Sequence, residues 1–386
     1  MSEERPRRRV GESTEGDRGP SSTRRAALGG LGAGAAATVA GCAGVPALGG
    51  SPGGDEGPTA VTYRGRFKRL GLAPAVNDAG VELGTWADDG LDVSYRTASG
   101  SSAAAKSVAS GNERFGNGGI AAVLQLVEQG APLVIIGQIA DPMGGVVALA
   151  DSGIRTWTDL EGRTVGRFPF GSTGIAAEAA MRAAGADVSA VEFRNVQPGS
   201  GMKLLLSGEI DAMARYFPQM KQRLEYRGKD AVALPSVEQL GHLGVTLYTR
   251  QEVIDQEPGL VERFVRGWLQ AFRPWTQDLE RVIDLYAPKV PGEFNRDLER
   301  RTVPALYAAQ APRPAVGTRH GKGWTPEERL RDTVDVFTEA GLLEGAVEPS
   351  AVYTNEFIER NHDLAVETAG LLYDALERYD VGPNYI

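Results

Sequence analysis

Between residues 59 and 250, strand signals and helix signals alternate, and this alternation constrains the fold more than any other feature. Apolar or β-branched runs, as expected of buried strands, lie at residues 91–97, 132–140, 145–150, 163–168, 190–196 and 243–249. Helix-like segments separate them at residues 102–111, 120–130, 174–185 and 201–212. Such alternation is typical of right-handed βαβ crossovers, which build mostly parallel sheets covered by helices. The sequence therefore predicts an α/β fold.

After about residue 250 the pattern changes to long helices with few strands. The helical patterns lie at residues 258–279, 327–343 and 351–379. In the first of them, apolar side chains recur at every fourth position, at Leu260, Phe264, Trp268 and Phe272. This spacing predicts a helix face packed against the core, and not a cofactor site.

Residues 1–41 have the parts of an export signal. A basic pair, Arg24 and Arg25, precedes an uncharged run of small and apolar residues that leads to Cys42. The run is too short to span a bilayer, so it indicates a signal peptide and not a membrane anchor. The segment 39–42, VAGC, resembles a bacterial-type lipobox, and the arginine pair resembles a twin-arginine signal. The alternative is a disordered N-terminus with a chance arginine pair and a free thiol.

The position of Cys42 limits the chemistry of the mature chain. It is the only cysteine, so its lipidation leaves no thiol for a disulfide, a nucleophile or a metal–thiolate site. Seven of the 41 basic and five of the 50 acidic residues precede it, which leaves 34 against 45, a net charge of −11. Such a surface repels nucleic acid. Residues 42–58 are rich in Gly, Pro and Ser and predict a flexible tether.

The body of the chain shows no pattern typical of catalysis. Its three histidines, His242, His320 and His362, have no metal-ligand spacing and stand in unrelated contexts. No complete phosphate-binding or dinucleotide-binding glycine motif is present. We therefore expect no catalytic residue, no metal site and no cofactor.

Turns rich in Gly, Ser and Asn are predicted after strands and before helices, at residues 99–105, 116–122 and 169–179. There the first N–H groups of a helix point outward, at the sheet edge where α/β proteins bind ligands. For any single turn an ordinary helix cap is the simpler interpretation, but three in succession favour a ligand-binding cleft. The candidate ligand-binding residues are Ser101, Ser102, Asn117, Gly118, Phe170, Ser172, Thr173 and Gly174.

The stretch LGLAPAVNDAGVELGTWADDGLDVSYRTASGSSAAAKSVASGNERFGNGG, at residues 70–119, carries a family resemblance. It resembles the start of the solute-binding proteins of ABC importers that serve thiamine-pyrimidine precursors, nitrate, taurine and alkanesulfonates. Residues 153–166 and 258–272 are similar to two further segments of that group. The resemblance covers about residues 60–360. It implies a two-lobe, periplasmic-binding-protein-like (type II) fold with a helical C-terminal extension.

The resemblance also implies an architecture and a role. Lobe 1 comprises residues 59–146 plus 245–386, and lobe 2 comprises residues 147–244. The strands at 145–150 and 243–249 are predicted to cross between the lobes as hinges that allow closure over a solute. The protein is then an exported monomer, lipid-anchored at the outer face of the cell membrane. It passes a small-molecule solute to a membrane permease.

Residues 170–181 and 353–358 are similar to the pyrimidine-precursor branch, although Leu72, Ala75 and Asp78 depart from its usual opening motif. The resemblance adds Asn77 to the ligand-binding candidates. Glu178 is predicted to accept hydrogen bonds from an aminopyrimidine, or to be a solvated surface residue. Tyr216 and Phe217 are candidates to stack on a ring, with core packing as the alternative.

The sequence is also compatible with other functions. Nitrate, taurine or an alkanesulfonate are alternative solutes. A hydroxymethylpyrimidine-synthase-like enzyme would share the fold, but the cysteine-rich motif of that group is absent from this sequence. A sensory lobe that binds no solute is the third class.

Overall fold

The computed structural model describes residues 57–67, 72, 80–197, 199–290, 294–345 and 347–381. These ranges contain ten strands in two five-stranded sheets. Numbered β1 to β10, the strands are Thr59–Gly65, Leu91–Thr97, Phe115–Gly119, Leu133–Ala140, Gly144–Leu149, Thr164–Arg167, Glu192–Asn195, Ala212–Tyr216, Ala231–Pro235 and Val245–Arg250. The first sheet has the order β2-β1-β3-β10-β4 and the second has the order β7-β6-β8-β5-β9. We use lobe 1 and lobe 2 for these sheets with the helices packed on them.

Helices connect the strands and extend the chain beyond β10. Numbered α1 to α15 within the described ranges, they are Ser101–Ala109, Ile120–Glu128, Ser172–Ala183, Gly201–Ser207, Phe217–Glu225, Ser236–Leu240, Gln251–Gln256, Pro258–Gln270, Phe272–Gln277, Leu279–Tyr286, Arg296–Gln310, Pro314–His320, Glu327–Glu339, Glu356–Glu359 and His362–Arg378. The predicted α/β class is confirmed, as is the helical C-terminal region. None of the helices in these ranges combines the length and apolarity needed to cross a membrane.

The sheets are mixed, and the prediction of mostly parallel sheets is wrong. In lobe 1, β1 runs parallel to β2 and β3, whereas β10 runs antiparallel to β3 and β4. In lobe 2, β6 runs parallel to β7 and β8, whereas β5 runs antiparallel to β8 and β9. The antiparallel strand of each sheet is the one that enters from the other sheet. It is therefore not constrained by a βαβ crossover.

The chain passes between the sheets in short connections that flank β5 and β10. The first connection is residues 141–143, and the second leads from α6 through residues 241–244. The strands predicted to cross between lobes, at 145–150 and 243–249, instead have each of their paired residues within a single sheet. Residues 144–146, assigned to lobe 1 by the prediction, pair within the second sheet. The connections, and not the strands, are therefore the segments that join the lobes.

The C-terminal helices pack mainly on the first sheet. Leu260, Phe264, Trp268 and Phe272 are all buried in one cluster with strand residues such as Tyr63, which confirms the predicted helix-to-core packing. The ring of Phe264 stacks on Phe115 with centroids 3.8 Å apart. Burial of these large aromatic side chains contributes a substantial share of the hydrophobic stabilisation of lobe 1.

Residues 116–119 form the strand β3 and not the turn that the glycines were expected to make. A side chain at Gly116 would place its Cβ 2.6 Å from the ring of Tyr248 on the neighbouring strand. The glycines therefore allow close packing on a central strand, and this requirement is tertiary. Helix α2 begins at Ile120, directly after the strand.

A buried carboxylate bridges the lobes at one side of their interface. Glu299 on α11 of lobe 1 is 3% exposed. Its Oε2 accepts a hydrogen bond of 2.8 Å from the backbone N–H of Leu72, and its Oε1 forms an ion pair with Arg223 on α5 of lobe 2. The two lobes therefore share an ion pair that is largely shielded from water.

Candidate functional site

Polar side chains from both lobes meet where the helix N-termini face each other. Ser101, the first residue of α1, is fully buried and its Oγ accepts a hydrogen bond of 3.1 Å from the N–H of Gly119. The same Oγ donates to the Oγ of Ser172, the first residue of α3 in lobe 2, over 3.4 Å. The backbone N–H of Ser102 donates to the carbonyl of Phe170 over 3.4 Å. The predicted turns around α1 and α3 therefore come together.

Two glycines permit this close approach. A Cβ at Gly119 would lie 2.1 Å from the Oγ of Ser172, and a Cβ at Gly100 would lie 2.1 Å from the carbonyl oxygen of Phe170. Real Cβ atoms do not approach other heavy atoms so closely, because packing at such distances is strongly repulsive. Glycine at these positions is thus a condition for the contact between the lobes.

Asn117 lies at the centre of a polar chain in lobe 1. It is fully buried on β3, and its Nδ2 donates to the Tyr63 hydroxyl over 2.7 Å. Its Oδ1 accepts from Nη1 of Arg66 over 3.2 Å. The guanidinium carbon of Arg66 in turn lies 5.4 Å from the centroid of the Tyr216 ring in lobe 2, within the range of a cation–π contact. These polar contacts therefore extend from the core of lobe 1 to the Tyr216 ring of lobe 2.

A small cavity of about 30 Å³ lies between the lobes beside the connecting segments. Its lining includes Gly119 from lobe 1, Thr173 and Tyr216 from lobe 2, and His242. The hydroxyls of Thr173 and Tyr216 are buried and have no hydrogen-bond partner in the described part of the chain. Pockets for small organic ligands usually have volumes of roughly 300–1,000 Å³. Entry of such a solute at this position therefore requires the lobes to separate.

The structure places some of the predicted site residues elsewhere. Phe217 is 8% exposed and belongs to the lobe 2 core with Phe168 and Met220, which favours the core alternative. Gly174 packs against the side chain of Arg167, and Phe170 is 52% exposed, with its backbone at the interface. Gly118, in contrast, lies beside the Tyr248 hydroxyl and Ser101, and therefore near the contact between the lobes.

Glu178 is engaged in ion pairs within lobe 2. Its Oε1 pairs with Arg167 at the end of β6, and its Oε2 lies 3.8 Å from Nη2 of Arg182. Its side chain retains 22% exposure. It would have to leave these arginines to accept hydrogen bonds from a solute. The ligand-binding role of Glu178 is untested, and these ion pairs favour a structural role within lobe 2 instead.

His242, in the second connecting segment, is linked through Ser236 to the start of β5. Its Nδ1 lies 2.5 Å from the carbonyl oxygen of Leu243, and its Nε2 lies 3.1 Å from the Oγ of Ser236. The Ser236 hydroxyl donates to the carbonyl of Gly144 at the start of β5 over 2.8 Å. Burial lowers the pKa of His242 to about 4, because a charged imidazole is poorly solvated there. The ring is therefore neutral at ordinary pH.

Sequence reasoning missed Arg66, Tyr248 and His242 as residues of this region. Arg66 follows β1, a strand whose alternation of Val61 and Tyr63 with polar residues is a recognisable signal. The alternation does not reveal that Arg66 would be buried, because its partners are distant in sequence. His242 was identified only as a histidine without metal-ligand spacing.

Two predicted residues, Asn77 and Cys42, lie outside the described residues, as do the signal peptide 1–41 and all but the last two residues of the tether 42–58. Within the described ranges, no group of three or more His, Cys, Asp or Glu side chains is arranged to hold a metal ion. The chemistry that the described site offers is hydrogen bonding, one buried guanidinium and aromatic surface.

Comparison with known proteins gives a consistent result. The family model described as "NMT1/THI5 like" matches residues 79–278. The riboflavin-binding protein RibY of Chloroflexus aurantiacus is 24% identical over 205 residues, which are 52% of this chain and 57% of that protein. The match therefore spans little more than half the length of this curated relative.

Solved structures with low sequence identity share the fold. The alkanesulfonate-binding protein SsuA from Xanthomonas axonopodis pv. citri, bound to MOPS, has a TM-score of 0.60 at 17% identity, covering 77% of this chain and 99% of that chain. The periplasmic nitrate-binding protein NrtA from Synechocystis PCC 6803 has a TM-score of 0.55 at 11% identity, covering 83% and 91%. The Candida albicans CA3427 gene product, described as having the generic periplasmic binding protein fold, has a TM-score of 0.52 at 11% identity, covering 80% and 95%. The predicted two-lobe, periplasmic-binding-protein-like fold is confirmed.

Proposed function

This chain belongs to the NMT1/THI5-like family, and on that basis we propose that it is the solute-binding protein of an ABC importer. It is exported, anchored by a lipid on Cys42 at the outer face of the cell membrane, and monomeric. It captures a small heteroaromatic solute, similar to a thiamine pyrimidine precursor, between its lobes and presents it to a membrane permease. It is not an enzyme.

One observation carries the proposal: polar groups of both lobes converge at a single interface. Ser101 from lobe 1 and Ser172 from lobe 2 are in hydrogen-bond contact, with the N-termini of α1 and α3 behind them. Groups that meet only when the lobes approach can bind a solute from both sides and exclude water, which strengthens each hydrogen bond. The same arrangement favours hinge closure as the capture step.

Two findings support a heteroaromatic solute in particular. Tyr216 is half-buried at the lobe interface, where its ring can contact a planar solute. RibY, the curated relative named above, is described as riboflavin-binding, and riboflavin is a heteroaromatic compound. The structures of sulfonate- and nitrate-binding proteins keep small anions as the alternative solutes.

Isothermal titration calorimetry with the purified full chain tests the solute class. The panel contains aminopyrimidine thiamine precursors, riboflavin-like heterocycles, taurine, alkanesulfonates and nitrate. We expect tight binding of a heteroaromatic member and weak binding of the small anions. Tight binding of nitrate, taurine or an alkanesulfonate with no heteroaromatic binding would contradict the proposed solute. No binding and no thermal stabilisation by any member would favour a sensory lobe.

Glu178→Gln separates the two roles of that residue. Because both carboxylate oxygens face arginines, we expect a modest loss of stability, within about 1 kcal/mol for a partly exposed pair, and unchanged solute affinity. Loss of heteroaromatic binding at unchanged stability would instead establish the ligand role that the sequence suggested.

The anchor is tested by mass spectrometry of the protein from its native host. We expect the mature chain to start at a lipidated Cys42. Cys42→Ala should release the protein from the membrane fraction and leave solute affinity unchanged, because the tether precedes the body of the chain. An unmodified start at Met1 in the native host would overturn this part of the proposal.

A further inference from the structure

Arg66 is a buried cation at the interface of the lobes. It follows β1, is 7% exposed, and donates one hydrogen bond of 3.2 Å to the Oδ1 of Asn117. Its guanidinium lies over the Tyr216 ring of lobe 2, 5.4 Å from the centroid. These contacts place its charge next to the ring that we propose for solute stacking.

The charge of Arg66 has no carboxylate partner in the described part of the chain. The buried carboxylate of that region, Glu113, is already engaged, because its Oε1 pairs with Arg64 and its Oε2 accepts from Ser107. An amide oxygen and an aromatic face compensate a guanidinium only in part. A cation that is removed from water without a counter-charge costs several kcal/mol. A group with negative charge would therefore be favoured at this position.

Buried hydroxyls that can donate hydrogen bonds also lie in this part of the molecule. Three buried hydroxyls, those of Thr173, Tyr216 and Tyr248, have no hydrogen-bond partner within the ranges that the structure describes. Burial raises the pKa of Tyr248, so its hydroxyl remains protonated and able to donate. Buried polar groups in native proteins almost always have partners. Hydroxyls without a partner in these ranges, together with a guanidinium that lacks a carboxylate partner there, favour a ligand with several acceptor oxygens.

We propose that the solute is an aromatic compound that carries an anionic oxyacid group, a carboxylate, sulfonate or phosphate, whose oxygens accept from Arg66 while its ring packs beside Tyr216. This inference rests on the proposed function and narrows its solute class. Charge-assisted hydrogen bonds from a planar guanidinium to such oxygens are short, strong and often bidentate. Arg66 is then the residue that selects the anionic form of a ring compound over its neutral form.

Calorimetry with matched ligand pairs tests the inference. Each pair shares a ring and differs in the anionic group: riboflavin and riboflavin 5′-phosphate, pyridoxine and pyridoxine 5′-phosphate, benzenesulfonamide and benzenesulfonate. For at least one pair, we expect the wild-type full chain to bind the anionic member about tenfold more tightly or better, as one charge-assisted contact provides. Arg66→Gln should abolish the preference, and Arg66→Lys should restore part of it.

A matched control is available on the same sheet. Arg96 on β2 is exposed, and Arg96→Gln removes the same charge from lobe 1 without changing the cleft. We expect it to keep the wild-type preference. Circular dichroism and the melting temperature of each variant show whether Arg66→Gln remains folded, and Arg66→Lys, which keeps the charge, provides the second test.

The outcomes separate the two proposals. Binding of ring compounds with no preference for the anionic member, or a preference that Arg66→Gln retains, would overturn the role of Arg66 and leave the solute-binding function standing. If every pair failed to bind to the wild-type chain, while the broader panel also gave no signal, both the function and this inference would be rejected.

Discussion

Tyr216 and Phe217 are adjacent in sequence, yet their surroundings differ, because a strand ends and a helix begins between them. Tyr216→Ala removes aromatic surface from the lobe interface and should weaken solute binding about tenfold, as expected for a lost ring contact. Apo stability should change little. Phe217→Ala should instead destabilise the protein by about 3–5 kcal/mol, because the ring is buried in the core of lobe 2. Calorimetry and urea unfolding distinguish the two effects. A large stability loss in Tyr216→Ala would assign that ring to the core as well.

His242 gives a pH-dependent contribution to stability. Its folded pKa of about 4 lies below the ordinary value of about 6.5, so between these values the unfolded chain binds more protons. The contribution of neutral His242 is therefore complete above pH 6.5 and is lost as the pH falls to 4. At about 1.4 kcal/mol per pKa unit the loss is about 3 kcal/mol.

The comparison of wild type with His242→Gln isolates this contribution from the effects of other charged groups, such as Asp141 and Arg329, which influence the pKa of the ring. Urea unfolding at pH 7.5 and at pH 4.5 should show a difference between the two proteins that shrinks at the lower pH. An equal difference at both values would contradict the assignment of a depressed pKa.

At the scale of elements, strand β3 allows close contact between the lobes because its last residue, Gly119, has no side chain. Gly119→Ala would place a Cβ 2.1 Å from the Oγ of Ser172, so the lobes could no longer approach to the same distance. Overpacking of this kind costs about 1–3 kcal/mol, and we expect solute affinity to fall about tenfold or more. Small-angle scattering should show a more open average shape.

Gly259→Ala is the matched control for that substitution, since no atom of the described residues lies within 4 Å of the added Cβ on α8. It should leave both affinity and shape unchanged. Wild-type affinity in Gly119→Ala would mean that the contact between α3 and β3 has no part in capture.

The scale of the whole molecule shows where sequence reasoning succeeds. The α/β class and the apolar face of α8 were predictable because periodicity is a local signal, readable within a dozen residues. The sequence predicted that the strand-to-helix turns containing Ser101 and Ser172 would contribute to one cleft. Their pairing across 71 residues required the fold itself.

The wrong or missed sequence-based predictions have one physical cause. In each case the local structure depends on a contact with a residue that is distant in sequence. Glycines at 116–119 indicate a turn unless the ring of Tyr248 is known to lie over them. The strands β5 and β10 run antiparallel to their neighbours because the chain enters each of them from the other sheet. The burial of Arg66 depends on Asn117, 51 residues away, and Glu178 depends on Arg167 in another element. No local pattern contains this information.

The ion pair of Glu299 with Arg223 implies that the lobes, once in contact, separate slowly. Opening must separate Glu299 from Arg223, whose side chains are 4% and 21% exposed, before water can fully hydrate the Glu299 carboxylate. Because breaking a largely buried ion pair is costly, we expect the pair to slow the opening of the lobes. The dwell time of a captured solute would then be set partly by α5 and α11, which need not touch the solute at all. A permease that draws these two helices apart would shorten that dwell time without competing for any solute contact.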